Sequence, residues 1–204
     1  MFTPKYPLSR MVWKKAKPIY EQPSRHYYDV QLINEGFSVL DSLKIKPTLS
    51  QEIAWMAHRV VNDPTRNDNE IKSSEWLHHS FKTIKLDIGE AIAVKEARLI
   101  VESFTDYNPK VESAKPILDV SLKRLSVDWA AFEEFAHRLK AESSHLNEEE
   151  WANRSKNFSK ILLDREFIFN LPESRRRWEK RTRDNLNRNI EHHPFVQKRL
   201  SFGM

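Results

Sequence analysis

Residues 53–64 read IAWMAHRVVNDP, an apolar run that is interrupted by His58 and Arg59 and closed by Asp63-Pro64. Its apolar density predicts a buried helix through Val61, for which Ser50 is a suitable N-cap. The helix must end near Asp63, because a proline disfavours the helical conformation in the residue before it. A buried guanidinium without a partner would be strongly destabilising. The segment therefore raises the question of which group neutralises Arg59.

Helical spacing of apolar residues continues on both sides of this segment, whereas alternation typical of a strand never extends beyond four residues. Helices are predicted at about residues 30–40, 50–61, 68–84, 88–104, 116–122, 128–139, 147–167 and 172–193. Asp128 or Ser126 is expected to cap the sixth of these, and Asn147 with Glu150 forms a capping-box pattern for the seventh. The chain is predicted to be all-α, a single-domain bundle of about eight helices over residues 18–193. A basic N-terminal segment, 1–17, precedes the bundle and a tail, 194–204, follows it.

Composition excludes several classes of site. The 204 residues contain no cysteine, which removes disulfides, thiolate metal ligands and a cysteine nucleophile. Three glycines leave little room for a phosphate-binding loop. No apolar run approaches the roughly 18 residues of a membrane span, and the N-terminus lacks the apolar core of a signal peptide. We expect a soluble cytoplasmic protein with no membrane partner.

Positive charge is concentrated at the two ends of the chain. Residues 1–25 contain six Lys/Arg and one acid, residues 171–204 contain nine and four, and the segment between them is mildly acidic. In the last predicted helix, Arg176, Lys180 and Arg183 share a face and are candidate contacts to nucleic acid or to a partner. The alternative is an ordinary solvated basic surface. In the tail, Phe195, Val196, Leu200 and Phe202 suggest docking onto the domain or onto a partner.

Four stretches resemble, in order and spacing, the motifs of one family. They are Tyr20–Asp29 (YEQPSRHYYD), His58–Glu70 (HRVVNDPTRNDNE, followed by Ser73), Leu118–Leu125 (LDVSLKRL) and Trp178–Ile190 (WEKRTRDNLNRNI). Together they are similar to a small bacterial group of predicted metal-dependent phosphohydrolases of the HD superfamily, over about residues 18–191. This resemblance implies an all-α fold with a pocket in which His and Asp side chains from several helices hold a divalent metal that activates water.

The ligand positions implied by the resemblance are mostly replaced in this chain. The catalytic acid position is Tyr28 and the ligand four residues later is Leu32. The His-Asp pair is His58-Arg59, and the later aspartate is Ser121, with Asp119 retained nearby. Leucine has no ligating atom and arginine stays protonated. We therefore expect a catalytically inactive HD-fold homologue that binds a protein partner, or a nucleotide or other anion, and that needs no metal or other cofactor.

Arg59 has two interpretations. With Arg25, His26 and His58 it would form an anion or nucleotide-phosphate site. Alternatively it pairs with an internal acid such as Asp119 or Asp29 and fills the former pocket, which is the interpretation we favour because Asp119 is retained in its motif.

Two other functions stay open. One is a phosphohydrolase that holds a divalent metal in an altered site around His58, Asp119 and Asp106. The other is a nucleic-acid-associated structural protein that uses its basic ends. Asp63, Asp68 and Glu70, although they match the family pattern, are expected to be structural, as a helix stop and as acids at the start of the next helix.

Overall fold

The computed structural model describes residues 3–192, and its regular structure in that range is entirely helical, so the predicted all-α class is confirmed. The chain forms two compact units, up to Ser121 and from Leu122 onward. The helices are α1 Pro7–Tyr20, α2 Val30–Ser42, α3 Leu49–Ala57, α4 Asn69–Phe81, α5 Ile88–Glu102, α6 Ala114–Leu122, α7 Trp129–Glu142, α8 Glu148–Leu163, α9 Pro172–Ser174 and α10 Lys180–Glu191. Arg175–Glu179 is a π-helical turn between α9 and α10. The predicted tail, 194–204, lies outside the described residues.

Several helix ends differ from their predicted positions. Helix α3 is capped by Thr48 and not by Ser50, because Thr48 and Gln51 exchange side-chain to backbone hydrogen bonds in a capping box. The helix also ends at Ala57, four residues before the predicted end. The caps predicted at Asp128 and Asn147 are confirmed. Helix α8 ends at Leu163 instead of near residue 167.

Helix α1 was not predicted from the sequence, and it extends through most of the expected basic N-terminal segment. Its inward face, which includes Leu8 and Val12, belongs to the core of the first unit. The buried carboxylate of Glu52 on α3 accepts hydrogen bonds from the backbone N–H of Lys5 at 3.1 Å and from the Ser9 hydroxyl at 2.6 Å. This N-terminal region is therefore part of the folded unit, fixed to α3 by a buried polar contact.

The first unit is built around α3, which is buried along nearly its whole length and packs against α1 and α5. The Trp55 side chain donates a hydrogen bond to the Ile33 carbonyl at 2.9 Å. Helix α2 approaches this ring so closely that a Cβ on Gly36 would lie 2.2 Å from it. Burial of each large apolar side chain contributes about 1.5–3 kcal/mol, so this central helix supplies much of the stability of the unit.

In the second unit, side-chain amides join α10 to the segment that precedes α7 and to α8. Asn185 on α10 donates to the carbonyls of Leu125 and Val127, each at 2.8 Å, and Asn189 donates to the hydroxyls of Ser155 and Ser159 on α8. None of the helices between residues 3 and 192 combines the length and the apolar composition needed to cross a membrane.

Candidate functional site: the cavity beside Arg59

The candidate site lies where α3 ends. His58 is the C-cap residue of α3, and the chain then turns so that the Val60 N–H bonds to the Ala57 carbonyl at 3.2 Å. The start of α4 holds the loop that follows. Asn69 accepts from the Asp63 N–H and donates to the Asp63 carbonyl, and the Ser73 hydroxyl contacts the backbone of Val61. These bonds fix the segment that carries His58 and Arg59.

This segment borders a small cavity of about 30 Å³, which is room for one or two water molecules. Five of the positions that the HD resemblance assigned to the former pocket line it. They are Tyr28, Leu32, His58, Arg59 and Ser121. The remaining walls are aromatic side chains that the sequence did not single out for this site. They are Tyr27, Trp55, Phe104 and Tyr107.

Arg59 is paired inside the protein. Its Nη1 lies 2.7 Å from Oε1 of Glu70 in the first turn of α4, and the two side chains are only 12% and 11% exposed. The guanidinium also lies 4.8 Å from the centre of the Tyr28 ring and bonds to the Tyr107 side chain. Burial alone would lower the pKa of Arg59, but Tyr28, Glu70 and Tyr107 outweigh it and hold that pKa above its ordinary value. The guanidinium is therefore charged and neutralised in place.

The acid that meets Arg59 is thus Glu70, and not Asp119 or Asp29 as the sequence suggested. Asp29 instead caps α2, where its side chain accepts from the Leu32 N–H at 2.8 Å. Asp119 is completely buried on α6 but does not line the cavity. Glu70 belongs to the DNE stretch of residues 68–70. From the sequence alone, that position predicts only an acid that favours the start of a helix.

His58 is held as a neutral ring. It is stacked between Trp55 and Phe104, with ring centroids 4.4 Å and 4.8 Å away. Its Nδ1 lies 2.7 Å from the Trp55 carbonyl, an acceptor, so Nδ1 carries the hydrogen and Nε2 keeps its lone pair. Burial is the main reason that the pKa of His58 falls to about 3. The ring fills space between aromatic side chains and carries no charge at neutral pH.

Of the residues proposed with Arg59 as an anion site, His58 lines the cavity, whereas Arg25 and His26 do not. The Arg25 guanidinium donates to the backbone carbonyls of Arg59 at 2.7 Å and of Val60 at 2.9 Å. It thereby holds the turn after α3, together with Tyr20, whose hydroxyl accepts from the Arg59 N–H at 3.2 Å. His26 is exposed and does not line the cavity. Arg25 therefore has a structural use that the sequence did not indicate.

The residues present do not fit a divalent metal. Of the positions implied by the resemblance, Leu32 offers no ligating atom, and the Arg59 cation would oppose a dication. Asp106, part of the altered-site alternative, is exposed and bonds to the Asn108 amide groups. Across residues 3–192, no three His, Asp or Glu side chains come together in an arrangement that could hold a metal ion. The site offers buried aromatic surface and one neutralised cation.

The candidate basic contacts in the last predicted helix are Arg176, Lys180 and Arg183. Each of them binds groups of its own unit. Arg176 pairs with Glu173 at 2.7 Å, and Lys180 pairs with Asp184 at 3.0 Å. Arg183 is bound to Glu179, and its guanidinium also donates to the carbonyls of residues 163, 165 and 166. Arg183 therefore closes the loop after α8, while Arg176 and Lys180 stay on the surface beside acids.

The resemblance to the HD superfamily rests on the four motifs and on their spacing. The cavity brings together positions from the first three of those motifs, which are far apart along the chain. Comparison with protein-family models, with curated proteins and with solved structures finds no match to this chain.

Proposed function

We propose that this chain acts by binding a partner and not by hydrolysis, as an inactive homologue of HD phosphohydrolases whose pocket is filled by its own side chains. The observation that carries the proposal is the buried pair of Arg59 and Glu70. It puts a fixed positive charge where the resemblance expects a carboxylate ligand. A metal site needs its full set of ligands and their geometry, and this set is missing.

A protein partner is favoured over a nucleotide or another anion in the pocket. The cavity beside Arg59 has room for one or two water molecules. The charge of Arg59 is met by Glu70, and Arg25 is used on backbone carbonyls. A neutral His58 whose Nε2 keeps a lone pair offers no proton to an anion. Binding through the outer surface of the helices therefore agrees best with these contacts.

The direct test measures metal content and hydrolysis on one protein sample. The purified chain is incubated with Mn²⁺, Ni²⁺ or Mg²⁺, desalted and analysed for bound metal. Release of p-nitrophenol from bis-p-nitrophenyl phosphate and from p-nitrophenyl phosphate is then followed. We expect no stoichiometric metal and no hydrolysis above that of the His58→Ala variant. About one metal ion per chain, or hydrolysis that disappears in His58→Ala, would overturn the proposal.

A second test restores the ligand set that the resemblance implies. Leu32→His, Arg59→Asp and Ser121→Asp, introduced together, would place two histidines and two aspartates on the wall of one cavity. We expect this triple variant to take up Ni²⁺ or Mn²⁺, while adding His58→Ala to it should weaken the uptake. A folded triple variant that binds no metal would argue against the HD architecture of this pocket.

A further inference from the structure

The outward face of α1 carries positive charge and no acid of its own. Arg10, Lys14 and Lys17 follow one another at spacings of four and three residues, so they form one stripe along the helix. Arg10 and Lys14 are exposed. Residues 3–20 contain no Asp or Glu, and Glu21, which follows the helix, pairs with Lys17. Arg10 and Lys14 therefore stand on a surface of one sign.

The helix beneath α1 does not compensate this charge. Helix α1 packs against α3, whose one acid is Glu52. The Glu52 carboxylate is buried and accepts hydrogen bonds from the Ser9 hydroxyl and the Lys5 N–H, so it is not part of the outward face. In the part of the chain that the structure describes, neither Arg10 nor Lys14 forms an ion pair.

The end of α4 extends the positive surface. The Lys15 ammonium donates a hydrogen bond to the Ser80 carbonyl at 2.9 Å, which brings this end of α4 beside α1. Lys82, two residues beyond that contact, is exposed, and residues 76–86 contain no acid. The acids that flank this segment are already engaged, one with Lys72 and the other in the capping box of α5.

Helix stability does not account for the charge pattern of α1. Arg10 and Lys14 are like charges at a spacing of four residues, which disfavours the helix. The first turn of α1 contains no acid, although an acid there would interact favourably with the helix dipole. A surface that serves only solubility can intersperse both signs. A face of one sign, which its own helix does not favour, indicates a ligand of the opposite charge.

We propose that this surface, here called the α1 face (Arg10, Lys14, Lys15 and Lys82), binds the phosphate backbone of double-stranded DNA without regard to base sequence. Contacts from Lys and Arg to phosphates release condensed counterions, which supplies affinity with no reading of the bases. The inference goes beyond the proposed function, because it concerns the outer surface of α1 and not the cavity of the candidate site.

The packing of α1 argues against a membrane surface and against a protein as the ligand of this face. A helix that lies in a bilayer surface inserts its apolar side, but Leu8, Val12 and Ala16 are buried in the core of the first unit. Protein interfaces have apolar centres and are depleted in lysine. Along α1, all of whose residues the structure describes, the large apolar side chain that is exposed is Met11, at 37%.

The position of the aromatic residues argues against single-stranded nucleic acid. Single strands bind largely through bases that stack on aromatic side chains. On α1 those side chains face inward, because Tyr20 is buried and Trp13 packs against the core. A DNA duplex, whose phosphates are more densely spaced, needs no such stacking and matches a face that offers charge alone.

The test measures binding of a fluorescein-labelled DNA duplex of about 20 base pairs to the full chain by fluorescence anisotropy. With about three phosphate contacts, the association constant should fall about 40-fold between about 50 and 200 mM salt. A duplex of unrelated sequence should bind within about twofold of the first. No binding, binding that does not depend on salt, or binding confined to one sequence would overturn the inference.

Matched variants locate the binding. Arg10→Gln with Lys14→Gln removes two positive charges from α1, and the control, Arg176→Gln with Lys180→Gln, removes two from the other basic end of the chain. Because the two double variants have the same net charge, a difference between them reports the position of the binding surface. All four side chains are exposed, so both variants should keep the circular dichroism spectrum and unfolding midpoint of the parent.

We expect the α1 variant to weaken binding about tenfold or more at low salt and to lower the salt dependence by about two phosphate contacts. The control variant should change the affinity by less than about twofold. Equal losses in the two variants, or an affinity that is unchanged in the α1 variant, would contradict the inference.

Other polyanions, measured beside the duplex, test the choice of DNA. They are the single strand of the same sequence, an RNA duplex, polyglutamate and phosphatidylserine–phosphatidylcholine vesicles. We expect the DNA duplex to bind more tightly than each of them. Tighter binding of any one of them, lost in the α1 variant, would make that class the ligand of the α1 face and overturn the assignment to DNA.

Discussion

Replacing Arg59 by methionine should strongly destabilise the protein. Methionine keeps much of the length of the side chain but leaves the Glu70 carboxylate, 11% exposed, without its cation. Removal of one partner from a buried ion pair typically destabilises a protein by about 3–5 kcal/mol, and loss of the contact with Tyr28 adds to this in the same direction. For a chain of this length, that range corresponds to a fall in Tm of about 6 to 20 °C.

The pair as a whole should contribute much less than this. Replacing both partners of a buried ion pair by apolar residues is often neutral or stabilising, so Arg59→Met combined with Glu70→Leu should recover most of the stability, to within about 1–2 kcal/mol of the parent. The surface pair of Lys72 and Glu75 on α4, in which both side chains are at least 40% exposed, is the control. Lys72→Met should cost only about 0–1 kcal/mol.

Guanidinium denaturation, with scanning calorimetry beside it, measures these free energies of unfolding. If Arg59→Met costs no more than Lys72→Met, the pair with Glu70 does not hold the pocket closed. If the double variant is as unstable as the sum of the two single variants, the side chains of Arg59 and Glu70 do not act on each other. Either result would refute the physical argument for a filled pocket.

Three more outcomes test neighbouring features. Gly36→Ala should destabilise the protein by about 1–3 kcal/mol or more, because the new methyl would lie 2.2 Å from the Trp55 ring; Trp55→Phe in the same chain should relieve part of this in denaturation experiments. Because the pKa of His58 is about 3 in the folded protein and has its ordinary value of 6.5 in the unfolded chain, the unfolded chain binds more protons between those pH values. Stability should therefore fall by about 1.4 kcal/mol per pH unit as pH drops through that window, and His58→Asn should lose this slope between pH 6 and pH 4, roughly the middle of the window. Lys44 has a φ of 58° just after α2, so Lys44→Gly should raise the unfolding free energy by about 1 kcal/mol, whereas Lys44→Ala should not.

The helices that were predicted well carry their signals within a few residues. Asp128 caps α7 and Asn147 with Glu150 caps α8, because a side chain and a backbone N–H three positions apart meet in the first turn of any helix. Helix α1 was missed although it carries local signals, since Pro7 stands in its first turn and the buried Leu8, Val12, Ala16 and Tyr20 follow at four-residue spacing. Its anchor, Glu52, is more than forty residues away, and nothing near Ser9 in sequence indicates the contact.

In the candidate site, too, some features could be predicted from the sequence and others depend on contacts between distant residues. Its wall positions could be named from the order of the motifs, and Tyr28, Leu32, His58, Arg59 and Ser121 do line one cavity. Which acid neutralises Arg59 could not be deduced from the sequence. The sequence contains several acids that could pair with Arg59. Which of them does so depends on how the loop after α3 folds back onto the first turn of α4.

By itself, then, the sequence determined the helical class, most helix positions and a buried cation that required an acid. The apolar spacing and the capping residues act within single helices, and the cost of burying a charge applies wherever the helix is placed. Only the tertiary structure decided that Glu70 is that acid, that Arg25 holds a backbone turn, and that Lys15 of α1 meets the end of α4. Those outcomes depend on how separate helices are oriented, which long-range packing sets and no local pattern encodes.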